Sequence, residues 1–185
     1  AVADWKRSQF HSKYIKKRTY KADIFNYKSE KVIIFMSYNI EKLDINDYPK
    51  CNAIWDMQAD PLTEKFRKEI ERGNREVYIC KENGNFIGEI ACVYDMNDPD
   101  YTISGQRIYL SRLIVKPNYR NKGIGGILID FMIEKLKCDG YKEITVGVDK
   151  DNFAAIHLYR KKGFTKVLFN GGDEQGEYFK LLKKL

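Results

Sequence analysis

The chain has 185 residues, a 43% apolar share and a net charge of +7, which suits one globular domain with a real core. Four cysteines at 51, 80, 92 and 138 form no Cys-x-x-Cys pair and only two histidines exist, so a disulfide framework and a tetrahedral zinc site both lack ligands and a reducing, cytoplasmic setting fits. The longest apolar stretch, residues 32–36, is far below the roughly 20 residues that cross a bilayer, so a membrane protein is not expected.

The charge is unevenly spread. Residues 1–35 hold nine basic and three acidic side chains, +6 of the total, and leave +1 for everything from Met36 onward. Any nucleic-acid reading therefore rests on that segment alone. Because Ala1 is not Met and Met36 precedes a well-patterned run, residues 1–35 are expected to be a basic extension, a leader or non-native sequence, ahead of a domain at 36–185.

Residues 38–43 alternate like a strand, and Asp47 and Pro49 open a helix-like stretch through Trp55. Asp60 (cap) and Pro61 start a second helix that repeats Leu62, Phe66 and Ile70 and stops at Gly73. Two β-rich runs, 77–81 and 86–94, flank Asn83-Gly84, which predicts an antiparallel hairpin. An acidic loop, 95–100, leads to a strand at 107–115 ended by Pro117. A helix is predicted over 125–140, a strand over 143–148, a helix from cap Asn152 to Gly163, and strands over 164–169 and 177–182. This order argues an α/β layer fold with a largely antiparallel first half.

Two stretches carry chemistry. Arg120-Asn121-Lys122-Gly123-Ile124-Gly125-Gly126 joins a strand to an amphipathic helix. Small residues let backbone approach a ligand, and the helix N-terminus offers N–H groups and about half a positive charge to an anion. The Gly-Lys-Ser/Thr of a P-loop is absent, and Leu128 stands where a dinucleotide fingerprint needs its third glycine. The alternative is a Gly-rich turn that merely starts a core helix. In the second stretch Tyr159 lies seven residues beyond Asn152, two turns along one helix face. A core tyrosine is the alternative there. His157 points elsewhere, and Arg160, Lys161 and Lys162 suit the helix C-terminus.

Together these blocks resemble the GCN5-related N-acetyltransferases (GNAT family). Residues 120–125 look like its Arg/Gln-x-x-Gly-x-Gly/Ala signature and residues 152–164 like its Asn-x-x-Ala-x-x-x-Tyr-x-x-x-Gly-Phe block, with element order matching from about 36 to 185. The resemblance implies a GNAT fold: a mixed, mostly antiparallel sheet of about six to seven strands flanked by about four helices. It also implies acetyl transfer from acetyl-CoA to an amine. The pyrophosphate would lie on the backbone N–H groups of Asn121, Lys122, Gly123, Ile124, Gly125 and Gly126 with Arg120 close by. The backbone of Leu113, Ile114 and Val115 would pair with the pantetheine arm. Asn152 would help place the cosubstrate and Tyr159 would face its sulfur, while an N–H near Ile114 holds the oxyanion.

An amine of pKa about 10.4 is neutral once in a few thousand molecules at pH 7, a handicap near 4.6 kcal/mol, so some group must take its proton. The departing thiol has pKa about 8.5 against about 10 for a phenol, so full proton transfer from Tyr159 is uphill by roughly 2 kcal/mol and a hydrogen bond to the sulfur is the safer role. Many relatives carry a Glu on the central strand where this chain has Ser111 and Arg112. Glu89 is the first candidate base, with Tyr109 or Asp95 behind it; an exposed strand carboxylate is the alternative. Asp60, Glu64, Asp95, Asp98 and Asp100 offer charge to a cationic acceptor, or simply form a solvated face, and Trp55 and Phe66 are expected in the core.

The expected function is acetyl transfer to a primary amine of a small molecule, aminoglycoside- or polyamine-like, by direct attack in a ternary complex. The alternatives are a protein or peptide N-terminal or lysine acetyltransferase, and a non-catalytic acyl-CoA-binding module. No metal is expected, and a homodimer stays open.

Overall fold

The computed structural model describes residues 38–174 and 176–185. The basic segment 1–35 lies outside them, as does the apolar stretch 32–36.

Seven strands form one sheet in the order β1-β2-β3-β4-β5-β7-β6. They are β1 (Asn39–Lys42), β2 (Arg75–Glu82), β3 (Asn85–Val93), β4 (Arg107–Val115), β5 (Glu143–Asp149), β6 (Lys166–Asp173) and β7 (Gly176–Lys184). Only β4 and β5 pair in parallel; every other neighbouring pair is antiparallel. Three α-helices, α1 (Thr63–Glu71), α2 (Ile124–Cys138) and α3 (Phe153–Lys161), and a 3₁₀ helix at Ile45–Ala53 flank it. The hairpin between β2 and β3 turns on Asn83 and Gly84, at φ 50° and 80°, the paired left-handed conformation that Asn-Gly tolerates.

Two expectations shift. The stretch expected from Asp47 to Trp55 is a 3₁₀ helix over Ile45–Ala53, capped by Asp44 through the Asn46 N–H, with Pro49 inside it. Asp60 does not cap α1 itself: its carboxylate accepts the Leu62 N–H at 2.8 Å in the preceding turn, and the helix starts at Thr63.

The core is split by the sheet. On one face α2 and α3 pack Leu128, Ile129, Met132 and Tyr159 against Ile90, Ile108, Ile144 and Val146. On the other, the 3₁₀ helix and α1 bury Tyr48, Cys51, Ile54 and Phe66 against Val77, Ile79 and Ala91. This second face continues over β5 and β7, where loop 94–106 covers it. Thr145 donates its hydroxyl to the Tyr101 carbonyl at 2.7 Å. Lys180, 7% exposed, reaches Asp98 at 2.7 Å and Asp100 at 3.3 Å.

Candidate active site

A strand in the middle of a sheet should be closed on both sides, yet β4 is half-exposed from Arg112 to Val115. Its ladder with β5 runs from Arg107↔Glu143 only to Leu110↔Val146, although both strands continue. Parallel strands that diverge this way leave a mouth at their C-terminal ends. A bulge makes the divergence. Between Glu89 and Ala91 of β3, the facing strand advances from Ile114 to Ser111, one residue too many. The surplus is absorbed at Arg112, whose φ of 56° is unusual for a side-chain-bearing residue. Leu113 and Val115 then pack toward α2 and α3, and Ile114 toward the other face.

Strand β4 leads through a short turn at Pro117–Tyr119 into the Gly-rich run. Asn121 and Gly123 take φ of 61° and 79°, which turns the backbone into α2. The first helical bond in this turn is Ile127 N–H to Gly123 C=O at 3.0 Å, so the N–H groups of Ile124, Gly125 and Gly126 precede it and point out of the helix end. A Cβ on Gly125 would stand 3.3 Å from the Leu158 side chain and 3.7 Å from Leu113, so glycine there lets α2, α3 and β4 meet closely. Arg120 folds back, its Nε donating to the Val115 carbonyl at 3.1 Å, and the Lys122 ammonium rests 4.9 Å from the Tyr119 ring. The strand edge, the N–H cradle and the two cations form one track from the mouth to the surface. Outward N–H groups at a helix start beside two cations suit an anionic ligand such as a phosphate.

Tyr159 is buried on α3 with its ring edge-on to Phe164, centroids 5.7 Å apart. Burial pushes its phenol well above the ordinary range, reinforced by Tyr109, so it stays a neutral O–H donor. This widens the gap to a thiolate and weighs against full proton transfer. Asn152 accepts the Ala155 N–H at 3.1 Å and caps α3, as expected.

Glu89 is not an exposed strand carboxylate; it is 3% exposed. It accepts from Trp55 Nε1 at 3.0 Å and from Arg112 Nε at 3.1 Å. Burial pushes its pKa up while these donors and Cys51 oppose the shift. Arg112 is itself sandwiched, 3.8 Å from the Trp55 ring and 5.0 Å from Phe66, with Asp60 at 2.9 Å. Trp55 is half-buried and Phe66 buried, and they enclose a cavity with room for about one water beside Glu89. The bulge is thus bolted to the segment between the 3₁₀ helix and α1. Asp95 lies at the wrong end of the sheet, beyond Val93, which pairs with Tyr109 rather than with the mouth. Tyr109 stacks on Tyr101 at 4.4 Å. Burial pushes its phenol up, so it too is a neutral hydroxyl.

The acidic residues expected to draw a cationic acceptor are mostly engaged. Asp60 holds Arg112, Asp98 and Asp100 hold Lys180, and Glu64 bridges Arg67 at 2.8 Å on the exposed side of α1. His157 is exposed. All four cysteines are free thiols, three of them buried. Among the described residues no His, Cys, Asp and Glu group has metal-site geometry, and no helix is long and apolar enough to cross a membrane. Sequence reasoning missed Arg112 as a clamp, and Gly147 and Asp149 on β5. Alternation along β5 puts Thr145, Gly147 and Asp149 in one row, and that signal was available.

The sequence model of the Acetyltransferase (GNAT) family matches residues 38–164. N-alpha-acetyltransferase 30 of Saccharomyces cerevisiae is 31% identical over 112 residues, 58% of this chain and 63% of its own. Streptothricin acetyltransferase of Streptomyces lavendulae is 30% identical over 83 residues, 42% of this chain and 44% of its own. The matched region therefore spans less than two thirds of either relative. The PaiA N-acetyltransferase of Thermoplasma acidophilum, solved in complex with coenzyme A, superposes with a TM-score of 0.60 at 24% identity, covering 81% of this chain and all of that one. With the family match extending over most of its length, from the start of the sheet through the Gly-rich cradle to Phe164, the chain belongs to the GNAT family of acetyltransferases.

Proposed function

We propose that the chain is an N-acetyltransferase that moves the acetyl group of acetyl-CoA to a primary amine, a small molecule in the first instance, by direct attack in a ternary complex. The observation that carries this reading is the open half of β4, flanked by the N–H cradle on one side and the buried Tyr159 hydroxyl on the other. In this reading the N–H groups from Asn121 to Gly126 hold the pyrophosphate, with Arg120 and Lys122 adding charge. Leu113, Ile114 and Val115 align the pantetheine arm along the strand edge, and Asn152 fixes the α3 end that borders it. An N–H near Ile114 faces the carbonyl oxygen as it gains charge. Tyr159 donates a hydrogen bond to the departing sulfur.

The face carrying α2 and α3 is closed by Tyr159 and its neighbours, so the amine comes from the opposite face of the sheet. Glu89 sits on that face but is held by Arg112 and Trp55. We therefore give it a positioning role, fixing the bulge that opens β4, in place of the proton-accepting role its strand position suggested.

Release of free thiol from acetyl-CoA, followed across aminoglycosides, polyamines, amino acids and N-terminal peptides, tests the reading. Turnover with a small amine supports the acceptor class proposed. Turnover confined to peptides moves the acceptor to a protein N-terminus, a second reading favoured by the yeast relative, named an N-alpha-acetyltransferase. Tight coenzyme binding without thiol release from any amine turns the chain into a binding module, and no coenzyme binding sinks both.

A further inference from the structure

The acceptor must arrive as an ammonium and leave as an amide, so something at the mouth has to attract the cation and let its proton out. The strands that bound the mouth narrow the choice. Strand β4 carries no carboxylate, and on β5 there are two. Glu143 is at the far end, held by Arg107 at 2.7 Å. Asp149 is at the near end, three residues past Val146, where the ladder with β4 stops.

Its direction follows from its row. Ile144, Val146 and Val148 pack into the core under α2 and α3. Thr145 bonds Tyr101 on the other face, and the Tyr101 hydroxyl stands 2.7 Å from where a Cβ on Gly147 would be. Asp149 is the next member of that second row, on the face from which the amine comes. It is exposed, and among the described residues its carboxylate accepts no hydrogen bond and forms no ion pair. The neighbouring cation, Lys150, turns instead to Glu177 at 3.3 Å.

The surroundings suit an ammonium. Tyr178 faces Asp149 across the ladder with β7, and its ring lies 5.1 Å from Phe169. Tyr101 and Tyr109 stack on the other side of the Gly147 position. The loop that bears Tyr101 is held down by Lys180 through Asp98 and Asp100. Lys180 already covers the Tyr101 and Phe169 rings, 4.7 and 5.0 Å from its ammonium, so what remains for a cationic amine is the free carboxylate with the Tyr178 ring across the ladder.

We propose that Asp149 is a catalytic residue that receives the acceptor ammonium at the mouth between β4 and β5, making the enzyme selective for amines that are cationic in solution. The inference rests on the acetyl-transfer reading above. The carboxylate takes one proton from the ammonium and passes it to water. The freed lone pair forms the C–N bond as the C–S bond breaks. The second proton lost from nitrogen goes to solvent, and the departing thiolate, steadied by the Tyr159 hydrogen bond, takes one proton back from water, so the net products are amide, free thiol and one solvent proton.

The test compares Asp149→Asn and Asp149→Glu with the wild-type chain, using the best acceptor from the panel and acetyl-CoA alone in calorimetry. Asp149→Asn is expected to lower kcat/KM for the amine about tenfold or more, through kcat as well as KM. Acetyl-CoA affinity stays unchanged and Asp149→Glu recovers part of the loss. An Asn variant as active as wild type overturns the proposal, as does one that loses coenzyme affinity in step, which marks Asp149 as structural. A wild-type chain that binds no coenzyme or turns over no amine fails before any variant is made, and that outcome removes the acetyl-transfer reading along with this one.

Discussion

A phenol can steady a leaving thiolate by a hydrogen bond only while it still carries its own proton. Tyr159 is buried and its pKa is pushed upward, so its hydrogen bond is available across the whole neutral range. Tyr159→Phe is expected to bind acetyl-CoA as before and to lose kcat by about a hundredfold, the worth of one preorganised donor, as read by thiol release under saturating coenzyme. Glu89 should behave differently. Its carboxylate is enclosed by Trp55, Arg112 and Cys51. Removing its charge leaves Arg112 with Asp60 alone. Glu89→Gln is expected to cost about 3 kcal/mol of stability in urea titrations while the shape of the pH–rate profile stays the same. A profile that loses its acidic limb would return Glu89 to the role of base.

At the scale of elements, charge joins parts that sequence keeps apart. Glu76 on β2 takes Lys42 of β1 at 2.7 Å, the Tyr78 hydroxyl at 2.8 Å and Lys135 of α2 at 3.5 Å. Burial alone raises its pKa, but these partners overcome that and hold it at about 2. A free glutamate titrates near pKa 4.3, so the folded chain binds this proton more weakly than the unfolded one and the gain is present at neutral pH. It is lost as pH falls from about 5 toward 2, and Glu76→Gln is expected to flatten the curve of unfolding free energy against pH in that window by up to about 2–3 kcal/mol, as read by urea titrations at each pH. Elements with local signals were legible in the sequence: the Asn83-Gly84 hairpin, the Gly-rich start of α2, the Asn152 cap with Tyr159 two turns on. The bulge was not, because Arg112 adopts its strained φ through partners as distant as Trp55 and Asp60. A sequence window cannot contain that clamp. The 3₁₀ form of Ile45–Ala53 was missed because Pro49 inside a short amphipathic stretch leaves helix type to its packing. The row on β5 was legible by alternation, but the mouth beside it was not, because it depends on where the ladder between β4 and β5 stops.

For the whole molecule, a ligand that binds only the folded chain must stabilise it. Acetyl-CoA at a hundred times its Kd adds about 2.7 kcal/mol, which for a chain of this size is a Tm rise of roughly 5–10 °C by scanning calorimetry. No shift at that excess would mean that the cradle does not bind it. The sheet order carries a further consequence. Strand β7, which follows both in the chain, lies between β5 and β6. During synthesis β5 therefore keeps a bare edge on one side, and β6 has nothing to pair with, until residues 176–184 leave the ribosome. Lys180, which straps the Tyr101 loop, arrives in that same segment. Residues 176–184 thus close the sheet and bring the strap of the Tyr101 loop in one event, so a nascent chain offers a sticky edge to chaperones until that segment has emerged.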